Sequence, residues 1–96
     1  MARKAATILK EAEAIVFGRG ESDYGHPRDN FQDEADAFSA FLHARGLLDR
    51  DKQLSASDIA WFNVQQKMIR EAHKPKRDNR VDVVGYTLTA ERIEVE

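Results

Sequence analysis

The sequence predicts an all-α fold, a small bundle of about four helices that forms a homo-oligomer. Apolar residues recur at three- and four-residue spacing through four stretches of the chain, as in helices with one buried face. Glycine or proline stands at the breaks between these stretches. A chain of 96 residues fits one domain, residues 1–96. So short a chain buries a small share of its surface, and association with further copies is therefore expected.

The first helix is predicted over about residues 3–17. Its apolar residues follow helical spacing: Ala5, Ile8, Leu9, Ala12, Ile15 and Val16. Gly18 and Gly20 interrupt this pattern, and residues 18–28 are expected to form a loop.

The second helix is predicted over about residues 29–45. Pro27 biases His26 away from helical dihedral angles, so the helix is expected to begin after the proline, with Asp29 as its N-cap. One side collects the apolar residues Phe31, Ala35, Phe38, Phe41 and Leu42. Gly46 is expected to end the helix.

The third helix is predicted over about residues 57–73, because Ser55 or Ser57 can cap its start and Pro75 ends it. One arc of the helical wheel collects the apolar side chains of Trp61, Phe62, Val64, Met68, Ile69 and Ala72. The opposite arc collects the polar side chains of Asn63, Gln66, Lys67 and Arg70. Trp61 is expected to lie in the core.

The last segment is compatible with two structures. Residues 81–84 and 92–96 have the β-branched content and partial alternation of strands. A helix is favoured, because two sets of residues follow helical spacing: Val81, Val84, Gly85 and Leu88, and Asp78, Asp82, Tyr86 and Thr89. Asp78 is the expected N-cap.

Composition and charge exclude several classes of protein. The chain has no cysteine, which excludes disulfides and thiolate metal sites. No apolar run approaches the roughly 20 residues that cross a bilayer, and the N-terminal stretch lacks the continuous apolar core of a signal peptide. A cytoplasmic location without membrane contact is expected. The net charge of −2 argues against DNA or RNA as a partner.

The loop around Gly25 is the first candidate site. Tyr24 and His26 flank this glycine, which permits unusual backbone dihedral angles. A stiffened loop can stack an aromatic ring on a base and offer an imidazole to a phosphate or sugar. In the alternative, Tyr24 fills the end of the bundle and His26 supports the turn.

An acidic stripe on the last helix is the second candidate site. Asp82 and Tyr86 are four residues apart, with Asp78 one turn earlier, so these side chains are neighbours. Such carboxylates can hold a divalent cation or accept hydrogen bonds from ribose hydroxyls or an adenine amine. In the alternative, Asp78 caps the helix and Asp82 forms an ion pair with Lys67 or Arg70.

Lys67 and Arg70, which share a polar face with Asn63, form a candidate phosphate clamp. A guanidinium group can bind two oxygens at once, and an ammonium group adds a point charge. The alternative is a solvated helix end, where cations complement the helix dipole.

Together these motifs resemble a family of small phage and prophage proteins of unassigned function. The resemblance covers about residues 8–90 and rests on an ordered set of motifs: Asp23-Tyr24-Gly25-His26-Pro27, Asn30-Phe31, Lys67-x-x-Arg70 and Asp78-x-x-x-Asp82-x-x-x-Tyr86. The same pattern is similar to the helical domain called nucleotide modification associated domain 1, which implies a place in phage nucleotide metabolism. The resemblance implies a set of ligand-binding residues: Tyr24, His26, Asn30, Lys67, Arg70, Asp78, Asp82 and Tyr86.

The chain is also comparable with the all-α nucleoside triphosphate pyrophosphohydrolases, small helical oligomers that bind magnesium through Glu-Glu-x-x-Glu and Glu-x-x-Asp helices. The nearest strings here, Asp33-Glu34-Ala35-Asp36 and Asp78-Asn79-Arg80-Val81-Asp82, lack that spacing. If a metal ion binds, its candidate ligands are Asp33, Asp36, Asp78 and Asp82. Otherwise no cofactor is expected.

Three functions stay open. The favoured one is a phage-encoded nucleotide-binding protein, a sponge that sequesters a nucleotide-derived host immune signal of the cyclic nucleotide or ADP-ribose type without chemistry. The second is a magnesium-dependent nucleotide pyrophosphohydrolase or a nucleotide-modification enzyme. The third is a protein-interaction module with an exposed apolar patch and no small-molecule ligand.

Overall fold

A computed structural model describes residues 3–18 and 25–96, and within these ranges it contains helices and no strands. A short 3₁₀ turn at Lys4–Ala6 precedes four helices: α1 (Thr7–Gly18), α2 (Pro27–Ala44), α3 (Ala56–His73) and α4 (Arg77–Val95). The predicted all-α fold is confirmed, and the last segment is one continuous helix. None of the described helices is both long enough and apolar enough to cross a membrane.

The start of α2 lies two residues earlier than predicted, because a proline opens the helix. Pro27 occupies the first helical position, where its missing N–H removes no hydrogen bond and its fixed φ suits the helix. His26 is the N-cap, and its Nδ1 accepts a hydrogen bond from the backbone N–H of Arg28 at 3.0 Å. Asp29 lies within the first turn, so its assignment as the N-cap is wrong.

The start of α3 is a capping box formed by Ser55 and Asp58. Ser55 Oγ accepts from the backbone N–H of Asp58 at 3.2 Å, and Asp58 Oδ2 accepts from the backbone N–H of Ser55 at 2.8 Å. Ser55 is therefore the cap, and Ser57 lies inside the first turn. The helix ends at His73, ahead of Pro75, as predicted.

This capping box predicts different effects for the two serines. We expect Ser55→Ala to lower the free energy of unfolding by about 1 kcal/mol, because the backbone N–H of Asp58 loses its partner. Ser57→Ala is the control and should leave stability unchanged or slightly higher, since alanine has the higher helix propensity. Urea denaturation followed by circular dichroism measures both, and equal losses would contradict the assigned cap.

The start of α4 uses a carboxylate from the preceding helix. Lys76 is the N-cap and makes no side-chain capping bond, so the assignment of Asp78 as the N-cap is wrong. Glu71 Oε1 accepts from the backbone N–H of Lys76 at 2.9 Å and from Asn79 Nδ2 at 3.1 Å. These hydrogen bonds, with the nearby Arg80 guanidinium, lower the pKa of Glu71. Glu71 thus satisfies the backbone N–H of the N-cap residue, which is a different interaction from the cap that the sequence assigned to Asp78.

The helices pack in the spatial order α1, α4, α3, α2, with a further contact between α2 and α4. Among the described residues, the buried hydrophobic positions are mostly alanine: Ala12, Ala35, Ala56, Ile59, Ala60, Val81 and Ala90. The buried Ser39 donates to the Ala35 carbonyl at 2.7 Å and accepts from the Leu54 backbone N–H at 2.9 Å, which holds the segment before α3 against α2. This core is small even for a short chain.

The apolar arc of α3 faces outward, opposite to the predicted orientation. The buried side of α3 carries small or branched residues: Ala56, Ile59 and Ala60. Asn63 and Lys67 of the predicted polar arc are only partly exposed. The large apolar residues of the other arc are at least 40% exposed: Trp61, Phe62, Met68 and Ile69. The prediction that Trp61 lies in the core is therefore wrong for the single chain.

Candidate functional site

A cavity of about 460 Å³ is lined by residues from all four helices. Its larger apolar lining residues come from α1, α2 and α4: Ile15, Val16, Phe31 and Val81. Its polar lining residues come from α2, α3 and α4: Asn30, Glu34, Asn63, Asp82, Tyr86, Thr89 and Arg92. Three predicted ligand-binding residues, Asn30, Asp82 and Tyr86, thus meet at one cavity, although Asn30 is distant in sequence from the other two.

One side of α4 supplies much of this lining. Asp82, Gly85, Tyr86 and Thr89 recur at three- and four-residue spacing and therefore share a side of the helix. A Cβ atom added at Gly85 would lie 3.7 Å from Val16 Cγ2 of α1, an ordinary van der Waals distance. Thr89 Oγ1 donates to the Gly85 carbonyl at 2.9 Å, so its hydroxyl proton is already in use. Thr89 can therefore offer a ligand an acceptor.

An ion pair connects α3 to α4 beside the cavity. Lys67 Nζ lies 2.9 Å from Asp82 Oδ2, and the two side chains are 14% and 32% exposed. An ion pair of Asp82 with Lys67 was one of the alternatives that the sequence left open. Asp82 still lines the cavity, and a carboxylate has acceptor positions beyond the one that Lys67 uses. Asp82 can therefore serve both the ion pair and a ligand.

Arg92 is a cavity residue that the sequence analysis missed. It is 6% exposed, and its guanidinium lies 4.6 Å from the centroid of the Phe17 ring. Its Nε and Nη2 lie 2.9 Å and 2.8 Å from Glu96 Oε1. The available signal was spacing, because Arg92 follows Thr89 by three residues and Gly85 by seven on the same side of α4. Arg92 brings a held positive charge to the cavity.

His26 does not line the cavity, although its neighbours Gly25 and Pro27 do. Besides capping α2, it places Nε2 3.3 Å from Glu96 Oε1. The hydrogen bond from Arg92, assisted by the one from His26, lowers the pKa of Glu96. His26 thus caps α2 with one ring nitrogen and contacts Glu96, at the end of α4, with the other.

Tyr24 and Arg70 are further predicted ligand-binding residues. Tyr24 lies outside the described residues. Arg70 is exposed and does not line the cavity, and its backbone carbonyl accepts the N–H of Lys74 at the end of α3. Of the predicted clamp, Lys67 is thus the member that adjoins the cavity, through Asp82.

The candidate metal ligands do not gather at one point. Asp33 and Asp78 are exposed, and Asp36 accepts hydrogen bonds from Gln32 and Gln53. Across residues 3–18 and 25–96, no three side chains of histidine, cysteine, aspartate or glutamate are grouped so that they could hold a metal ion. Among the described residues, the acidic side chains that line the cavity are Glu34 and Asp82.

Comparisons with known proteins place the chain in a family. It is 35% identical over 88 residues to the Gene 55 protein of Mycobacterium phage D29, an alignment that covers 91% of this chain and 53% of the relative. The chain thus spans about half the length of that relative. No solved structure matches the chain. A family model described as a domain of unknown function matches residues 7–94. The expected similarity to small phage proteins of unassigned function is confirmed, and the chain belongs to the DUF6378 family.

Proposed function

We propose that the protein binds a nucleotide during phage infection, and specifically that it is a sponge for a nucleotide-derived host immune signal in the host cytoplasm. The signal would be a cyclic nucleotide or an ADP-ribose derivative. The observation that carries the proposal is the convergence of Asn30, Asp82 and Tyr86 on one cavity. The similarity to a phage protein supports the setting.

The size and lining of the cavity suit a small polar molecule with an aromatic part. Its volume of about 460 Å³ falls within the range of about 300–1,000 Å³ typical of ligand pockets. Apolar side chains from three helices and the Tyr86 ring offer surface to a base. A nucleotide carries such a base on a strongly polar sugar and phosphate, and the lining offers partners to both parts.

The neutral and acidic groups of the cavity match the sugar and base edges. Asp82 and Glu34 accept hydrogen bonds, as recognition of ribose hydroxyls or of an adenine amine requires. Asn30 and Asn63 carry amides, which both donate and accept, so they can pair with ring nitrogens or carbonyl oxygens. This mixture favours a nucleoside over a purely anionic ligand such as free phosphate.

The cationic groups of the cavity match a phosphate. Arg92 lines the cavity, and its contacts with Phe17 and Glu96 hold the guanidinium in place, which lowers the entropy cost of binding. Lys67 is mostly buried and pairs with Asp82, so it offsets the negative charge that Asp82 would otherwise present to a phosphate in the cavity. Arg92 thus supplies a cation in the lining, and Lys67 supplies a second one beside Asp82.

Binding without turnover is favoured over hydrolysis. Magnesium-dependent phosphate hydrolysis commonly uses two metal ions held by clustered carboxylates. In the described part of the chain, Glu34 and Asp82 line the cavity without a third acidic residue grouped with them. Incubation of candidate nucleotides with the protein and magnesium, followed by mass spectrometry, separates the two functions, because a sponge returns its ligand unchanged.

Calorimetric titration with cyclic dinucleotides, ADP-ribose derivatives and nucleoside phosphates tests the proposal. We expect at least one of these compounds to bind. Lys67→Ala should weaken that binding about tenfold or more, a loss of about 1.4 kcal/mol, because Lys67 adjoins the cavity. Arg70→Ala is the matched control, since it removes an equal charge from an exposed position away from the lining, and it should keep the affinity.

Two outcomes would count against this scheme. No heat with any member of the panel would reject nucleotide binding. Equal weakening by Lys67→Ala and Arg70→Ala would instead support the clamp predicted from the sequence, in which both side chains hold phosphate, and would move the phosphate position away from Arg92.

A further inference from the structure

The outward side of α3 and the adjoining part of α2 form an apolar surface. Trp61, Phe62, Met68 and Ile69 of α3 are 47%, 40%, 61% and 62% exposed. Phe38 of α2 is 49% exposed, and its ring centroid lies 6.1 Å from that of Phe62. We name these five residues the apolar face. The outward side of a helix in a monomeric protein normally carries polar residues, so this face is unusual for a free surface.

The chain exposes more surface than a compact monomer of its mass. The chain exposes 7068 Å². A compact monomer of its 10.9 kDa mass should expose about 5,600 Å², so the excess is about 1,500 Å². Obligate homodimers bury about 1,000–2,500 Å² on each partner. The excess is therefore of the size that one dimer interface removes.

The chain is also less compact than a typical domain of its length. The radius of gyration is 15.3 Å, against about 12.5 Å for a compact domain of this length. The shortest dimension is 21 Å, about two helix diameters. Stable domains bury the apolar sides of their helices between packed layers, and the small, alanine-rich core here does so incompletely. A second copy would supply the missing layer.

We infer that the apolar face is the interface of a homodimer, in which α3 packs antiparallel against α3 of a second copy around a two-fold axis at Gln65. The order of residues carries this inference. Trp61 and Ile69 each stand four residues from Gln65, and Phe62 and Met68 each stand three residues from it. The exposed Gln65 lies at the centre of the arc that these four occupy.

A two-fold interface must be self-complementary, and the symmetric spacing of these residues about Gln65 meets that requirement. Antiparallel pairing around Gln65 sets Trp61 of each copy opposite Ile69 of the other, and Phe62 opposite Met68. Each aromatic ring thus meets an aliphatic or thioether side chain, and the two Gln65 amides meet at the axis, where each can donate to and accept from the other. An unrelated protein partner would not require this symmetric spacing. The inference is independent of any nucleotide ligand.

Sedimentation velocity of the purified protein at micromolar concentration tests the dimer. We expect a mass twice that of the 10.9 kDa chain. Trp61→Glu should weaken association at least a hundredfold and give monomers, because it places a charge against Ile69. Leu47→Glu is the matched control, since Leu47 is 68% exposed and lies outside the apolar face, and it should stay dimeric. A monomeric wild-type protein, or an assembly that Trp61→Glu leaves intact, would overturn the inference.

A cysteine cross-link tests the axis with an exposed substitution that spares the core. The chain has no cysteine, so Gln65→Cys introduces a single thiol. Helix axes about 8–10 Å apart bring facing Cα atoms to roughly 4–6 Å, within the range of a disulfide. We expect mild oxidation to link most Gln65→Cys chains into dimers, whereas Lys10→Cys, on the exposed side of α1, stays mainly unlinked. Equal linking of both variants would overturn the proposed axis.

Discussion

Replacing Arg92 with alanine is expected to lower the free energy of unfolding by about 2–4 kcal/mol. The Arg92 side chain is 7% exposed, donates charge-assisted hydrogen bonds to Glu96 Oε1 and lies over the Phe17 ring. Alanine removes these contacts and leaves space beside the cavity. The contact between the C-terminal ends of α1 and α4, formed by Phe17 and Arg92, is then lost. For a domain of about this size, the loss corresponds to a fall in melting temperature of roughly 10–30 °C.

Arg77→Ala is the matched control for this effect. Arg77 also lies on α4 and pairs with Glu11 and Thr7, but its side chain is 45% exposed. Exposed ion pairs contribute about 0–1 kcal/mol, so the control should be nearly as stable as the wild type. Both variants are compared by urea denaturation at one protein concentration, because association would affect the midpoint. A loss for Arg92→Ala no larger than that for Arg77→Ala would show that the buried contacts of Arg92 do not stabilise the fold.

The positions of the helices were predictable because local chemistry determines them. Ser55 caps α3, and Gly46, with a φ of +71°, follows α2 in the left-handed region that glycine adopts most readily. The errors at helix starts arose where the chain departs from the commonest cap. At α2 a histidine caps ahead of a proline, and the N-cap residue of α4, Lys76, makes no side-chain capping bond. A carboxylate of α3, Glu71, instead accepts the backbone N–H of Lys76, which is not one of the common capping patterns.

The orientation of α3 was not predictable from its own sequence. Amphipathic spacing shows which side of a helix avoids water, but it does not show whether the cover comes from the same chain or from another copy. The alanine residues of α3 allow a close approach to its neighbours, and the bulky Trp61 side is left outside. The sequence did contain one signal: it has more large apolar residues than the core of so short a chain can bury.

The candidate site was predictable in part. Asn30, Asp82 and Tyr86 came from the ordered motifs, and these residues line the cavity. Glu34 and Asn63 could not be assigned, because their presence there depends on how α2 and α3 lie against α4. A motif identifies residues along one chain segment, whereas a cavity also takes residues that happen to face it from neighbouring helices.

Gly85→Phe is expected to abolish nucleotide binding, with a loss of at least about a hundredfold, or 2.7 kcal/mol. Gly85 lines the cavity from the middle of α4, and a Cβ there has room beside Val16. A phenyl ring attached at this point would take the volume in which a base is proposed to lie. The helix should stay intact, because phenylalanine has a better helix propensity than glycine. Calorimetry with the compound selected from the nucleotide panel measures the loss.

Gly85→Ala is the control that separates blocked volume from altered backbone. It should raise the free energy of unfolding by up to about 1 kcal/mol, because glycine inside a helix is less favourable than alanine by about that amount. It should also keep most of the affinity, since one methyl group occupies little of the cavity. Equal affinity of Gly85→Phe and Gly85→Ala would place the ligand elsewhere. The space around its Cβ position shows that packing against α1 does not require glycine at 85. A loss of affinity in Gly85→Ala would therefore mean that the ligand lies close against the α4 backbone, rather than farther out in the cavity as we expect.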